Sequence, residues 1–250
     1  MTMIEMLAVL AAGMGAGAIN AAVGSGTLIT FPVLLAVGLP PVTATVSNAL
    51  GLIPGSVSAA IGYRRELRGQ GRRVAVWCAG AAAGALTGAI LLLALPATAF
   101  ETIVPILVTL ALVLVVLQPW IGRRLRERRP AHPGGGPVLF AGLTVASVYG
   151  GYFTAAQGII YMALMGLRLD EPVQRLNAAK NVIAGVVNTV AALVFLVAAD
   201  VHWTAVALIA VGSAVGGQVG AAASRRLSPV VLRTIIVVVG VVAIVQLVRR

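Results

Sequence analysis

Apolar residues come in long unbroken runs along this chain. They follow neither the alternation of a half-buried strand nor the single stripe of a soluble amphipathic helix. Six runs, Val42–Tyr63, Val74–Leu95, Phe100–Ile121, Val173–Ala199, Trp203–Ala223 and Pro229–Val248, hold the roughly 20 residues that a helix needs to cross a bilayer core. Two more, Ile4–Gly38 and Pro137–Leu167, are equally apolar but interrupted. The first contains "NAAVGSGT" from Asn20 to Thr27, the second "YGGYFTAAQGIIYM" from Tyr149 to Met162. Strands of a membrane barrel would alternate apolar and polar residues over about 10 positions. The pattern therefore predicts an all-α integral membrane protein.

Between the runs lies "GRRLRERRPAHPGGGP", basic and then rich in proline and glycine, which predicts a loop. One membrane transporter domain, 1–250, then divides into internal repeats 1–121 and 137–250, joined by a cytoplasmic loop 122–136. Each repeat is a broken or re-entrant segment followed by three transmembrane helices. Asn48 and Asn181 fall at matching places in the two. Weak internal similarity of this kind marks transporters built from inverted repeats.

Composition strengthens the membrane reading. The chain is 60% hydrophobic and 10% charged, against about 25% charged for a soluble domain. Seventeen arginines and one lysine oppose seven acids. The arginines cluster in short loops, the signature of cytoplasmic loops and not of a nucleic-acid interface. If both broken segments crossed the membrane, twelve basic residues would lie on one face and six on the other. If both are hairpins that enter and leave on one side, sixteen share a face and only Arg249 and Arg250 lie opposite. The charge rule selects the hairpins, and an odd number of crossings per repeat then inverts the second half.

Catalytic chemistry finds no footing. Cys78 is a single cysteine in an apolar run, and His132 and His202 stand apart. No G-x-x-x-x-G-K-[ST] motif for nucleotide phosphates occurs. The chain reads as a non-enzyme without metal or cofactor. "MTMIEMLAVL" lacks a basic leader and reads as the first helix rather than a cleaved signal.

The breaks are the candidate site. Non-helical backbone inside a membrane is tolerated only within protein or around a watery cavity. Gly24 and Gly26 permit a sharp turn, and a restarting helix offers free N–H groups to an anion. Asn20, Ser25 and Thr27 add polar side chains. In the second half Tyr152, Thr154, Gln157 and Gly158 answer them. Lys180, the one lysine, stands with Asn177 and Asn181 in "RLNAAKN", and Asn48 is its counterpart region in the first half. Bland readings stand beside these. Glycines spaced as Gly84/Gly88 and Gly212/Gly216 suit helix packing. Lys180 could snorkel to the interface, and Asn188 could be interhelical glue.

The stretch "GAINAAVGSGTLITFPVLLAVGLPPVTATVSNA", the "GYRREL" that follows it, the second-half pair "YGGYFTAAQGIIYMALMGL" and "RLNAAKNVIAGVVN", and "VGSAVGGQVGAAASRRL" resemble the sulfite exporter TauE/SafE family over nearly the whole chain. The resemblance implies a transporter of sulfite or of sulfur-containing organic anions such as sulfonates. The departure at "AAVGSG" and "AAQG" from longer glycine runs leaves the substrate open. The expectation is a secondary transporter of a small anion, working by alternating access in the bacterial plasma (inner) membrane. An anion channel and a non-transporting scaffold remain the alternatives. Expected partners are the anion and the lipid bilayer, without nucleic acid; a coupling proton or ion and a homodimer are left open.

Overall fold

The computed structural model describes residues 1–126 and 135–223. Its ten helices are α1 (Met3–Ala22), α2 (Thr27–Ala36), α3 (Pro41–Gly51), α4 (Ile53–Gly62), α5 (Gly71–Ala94), α6 (Ala97–Arg126), α7 (Gly136–Tyr152), α8 (Gln157–Arg168), α9 (Val173–Ala198) and α10 (Trp203–Ala223), with no strand among the described residues. Helices α3 and α4 run on as one span, so six stretches are long and apolar enough to cross a membrane. The protein is a multi-pass membrane protein. The predicted spans appear with ends shifted by a few residues. One boundary is corrected: α6 continues to Arg126, five residues into the predicted loop, because Arg and Leu are good helix formers and no proline interrupts them there. The span Pro229–Val248, Arg225, Arg226 and His132 lie outside the described residues.

Helix starts follow local chemistry. Thr2 accepts from the Glu5 amide while the Glu5 carboxylate accepts from the Thr2 amide, a reciprocal cap on α1. Pro41 opens α3 and Pro137 opens α7, where a missing N–H costs nothing.

Small residues fix how the helices run. Gly13 lies against Ile209, Gly17 against Ser213 and Gly220 against Ala18. Numbers rise together, so α1 and α10 are parallel. Gly51 against Ile209, Gly55 against Ser213 and Gly62 against Ala221 make the continuous span of α3 and α4 parallel to α10 as well. Helices α1 and α4 thus point the same way, which requires α2 to turn the chain back. Likewise Gly80 meets Phe140 and Thr144, and Gly88 meets Val148, so α5 and α7 are parallel. The Gly84/Gly88 and Gly212/Gly216 pairs are packing faces: in each a side chain would strike the backbone of α7 or of α1.

The loop 63–70 and the loop 169–172 meet at one end of the bundle. Glu171 accepts from Arg73 at 2.8 Å and from Arg175 at 2.6 Å. Gln70 accepts from Arg73 at 2.6 Å and donates to the carbonyl of Glu66. Helix α9 therefore begins where α5 begins. With α7 parallel to α5, α8 also turns its chain back.

Candidate functional site

The two breaks face each other. The first, 23–26, has Gly24 left-handed at φ 90°; its amide reaches back to the Ile19 carbonyl at 3.1 Å, closing the end of α1. The second, 153–156, places Thr154 at φ 64° and Ala156 at φ 56°. The strands of chain around them run antiparallel. Phe31 packs edge-on against Phe153 with ring centres 5.3 Å apart. Thr27 and Thr154 share a hydroxyl–hydroxyl bond of 3.1 Å. The Gly158 amide donates to the Gly24 carbonyl at 3.1 Å. A methyl on Gly24 would stand 2.5 Å from Gly158 Cα, so only glycine lets the backbones meet there.

Three polar groups of residues surround this crossing. In one, Asn48 donates to Thr27 at 3.1 Å and accepts from Thr30. In the second, Gln157 donates to Asn188 at 3.3 Å and accepts from Tyr161, whose hydroxyl also contacts Ser147 at 2.8 Å. In the third, the Lys180 ammonium donates to the carbonyls of Asn20 at 2.8 Å and Ala21 at 3.2 Å, and Asn181 donates to Ala21 at 3.2 Å. A cation and an amide thus satisfy the open carbonyls at the end of α1. Lys180 is 1% exposed, so it does not snorkel. Its stem lies close to both Gly24 and Gly158.

Apart from Asn177, the predicted residues lie in or beside the two breaks or bond to residues there, though not all in the expected roles. Asn20 accepts from the Gly26 amide at 3.4 Å, folding the break on itself. Gly26 lies against the Ala16 carbonyl and the Asn20 side chain, so its bareness serves the turn. Ser25 is buried and its hydroxyl has no partner. Asn177 Oδ1 and Asn188 Nδ2 are likewise buried without partners, as is the Tyr152 hydroxyl, whose ring packs on Phe100 at 5.6 Å. The amide that bonds the restarting helix in the second half is Asn188; Asn181, placed opposite Asn48 by sequence, closes α1 instead. Thr30 and Ser147 join these clusters although each is only a lone hydroxyl in an apolar helix. Each break also sets a helix C-terminus beside a helix N-terminus, so their partial charges offset. Among the described residues no group of three His, Cys, Asp or Glu side chains could hold a metal. The unpartnered donors here are the hydroxyls of Ser25 and Tyr152 and the Asn188 amide nitrogen, and among the described residues the one buried cationic side chain is Lys180.

The family model described as "Sulfite exporter TauE/SafE" matches residues 9–247. "Probable membrane transporter protein YfcA" of Escherichia coli is 29% identical over 238 residues, 91% of this chain and 83% of that protein. A "Probable membrane transporter protein" of Haemophilus influenzae is 25% identical over 239 residues, 94% of this chain and 91% of that protein. No solved structure matches. With broken apolar helices meeting at a polar crossing, and a family model that covers nearly its whole length, the chain belongs to the sulfite exporter TauE/SafE family of membrane transporters.

Proposed function

We propose that the protein is a secondary transporter of a small oxyanion, sulfite or a sulfonate, in the bacterial plasma membrane, with its arginine-rich loops cytoplasmic. The observation that carries this reading is Lys180, buried beside the contact of Gly24 with Gly158, with Ser25 unpartnered at the same turn. A buried ammonium at membrane depth is costly and marks function. The hairpin units form inverted halves that exchange access by rocking about the crossing. The closed glycine contact leaves no lumen at that point, which favours a carrier over an open channel.

The test is counterflow in liposomes that hold the purified full-length protein. Unlabelled sulfite inside should accelerate entry of labelled sulfite, and a small sulfonate should do the same. Absence of counterflow with sulfite, sulfonates and carboxylates alike would remove the transport reading of this site.

A further inference from the structure

Charge at the crossing is scarce. Among the described side chains Lys180 is the one charged group in the buried class. The acids whose side chains are described, Glu5, Glu66, Asp170, Glu171 and Asp200, are all partly or fully exposed, and Glu171 pairs with Arg73 and Arg175 at the bundle end. Helix ends add nothing net, because each break pairs a C-terminus with an N-terminus a few residues away. The remaining donors there that lack partners are neutral: the hydroxyls of Ser25 and Tyr152 and the Asn188 amide nitrogen, each with its polar atom buried. They can bind oxygen atoms but cannot balance charge. An ammonium has three N–H donors, and two of those on Lys180 are used by Asn20 and Ala21.

We infer that the site is built for a singly charged oxyanion and rejects both dianions and neutral isosteres. The inference rests on the transport reading above and sharpens it. A monoanion paired with the third Lys180 donor leaves no charge uncompensated. A dianion of the same shape would carry a second negative charge into a low-dielectric interior with no partner, and such a charge is heavily penalised. A neutral sulfonyl compound would gain the neutral hydrogen bonds but leave the ammonium where it is.

Three probes of similar size and different charge test this: methanesulfonate with one negative charge, sulfate with two, and dimethyl sulfone with none. Each is titrated calorimetrically into the purified full-length protein. Methanesulfonate should bind, with sulfate and the sulfone at least about a hundredfold weaker, on the scale of losing one charge-assisted contact or more. Lys180→Gln should lose methanesulfonate binding by a similar factor. Sulfate binding as tightly as methanesulfonate would overturn the monoanion inference and leave anion transport standing. So would unchanged methanesulfonate binding by a folded Lys180→Gln protein. Failure of sulfite and of every anionic probe to bind would instead remove the transport reading and the inference with it. The wild-type ratio of methanesulfonate to sulfate decides the matter even if the variant does not fold.

Discussion

At the residue scale, the two breaks solve one problem with different amino acids. Gly24 and Thr154 occupy equivalent left-handed positions, φ 90° and 64°, two residues past the ends of α1 and α7. A side chain in this region costs roughly 1–2 kcal/mol, so the second break is strained at Thr154 and again at Ala156. Ala156→Gly should raise thermal stability by a few tenths of a kcal/mol to about 1 kcal/mol, the relief of strain less the added freedom of the unfolded chain. Gly24→Ala should lower it by more than about 1 kcal/mol, because its methyl would also collide with Gly158. Thermal unfolding of both variants in detergent checks the pair, and a Gly24→Ala protein that melts with the wild type would show that the backbones need not touch. The same contrast explains what the sequence reveals. "NAAVGSGT" declares its turn through glycines. "FTAA" holds left-handed backbone without one, so the second break announces itself only by Gln157 and Gly158, just after the turn. That Lys180 closes the end of α1 was not legible, because the partners are backbone carbonyls 160 and 159 positions away.

Among the elements, glycine faces decide how closely helices approach. Gly88 meets the Val148 backbone, so Gly88→Leu should separate α5 from α7 and cost at least the 1–3 kcal/mol typical of overpacking. Gly71, with open space around its α-carbon, is the control: Gly71→Leu should leave the melting temperature nearly unchanged. Equal loss from both variants would argue that membrane insertion and not packing is being measured. Packing of this kind was readable from G-x-x-x-G spacing, but the partner helix was not, since spacing gives a face and no address. The link between loops 63–70 and 169–172 was equally hidden. Burial alone would raise the Glu171 pKa, but hydrogen bonds and charge from Arg73 and Arg175 outweigh it and hold the carboxyl below its usual value. A depressed carboxyl stabilises the fold above the ordinary glutamate range and loses that contribution as pH falls through the lowered value. Glu171→Gln should therefore flatten the acid side of the stability profile, with no more than about 1 kcal/mol lost at neutral pH for so exposed a network. An unchanged acid limb in the variant would assign the acid sensitivity to other groups.

For the whole molecule, the count of arginines and the directions of the helices both bear on how the broken segments sit. Charge counting favours hairpins because they gather the basic loops on one face. Parallel α1, α4 and α10, and parallel α5 and α7, require the chain to turn back in α2 and α8. The ion pairs of Glu171 then place the loop after α4 and the loop before α9 at the same end. Eight full crossings would put those two loops on opposite sides of the membrane. Single cysteines decide between these arrangements in a Cys78→Ala background, which removes the one native thiol. The positions are Arg65, Asp170 and Asp200, all exposed. In intact cells an impermeant thiol reagent should label Asp200→Cys. It should reach Arg65→Cys and Asp170→Cys only after the membrane is opened. If Arg65→Cys and Asp170→Cys label from opposite sides, at least one broken segment crosses, and the two halves cannot be inverted hairpin units. If both label from outside while Asp200→Cys is protected, the hairpins stand, the orientation reverses, and the arginine-rich end faces away from the cytoplasm.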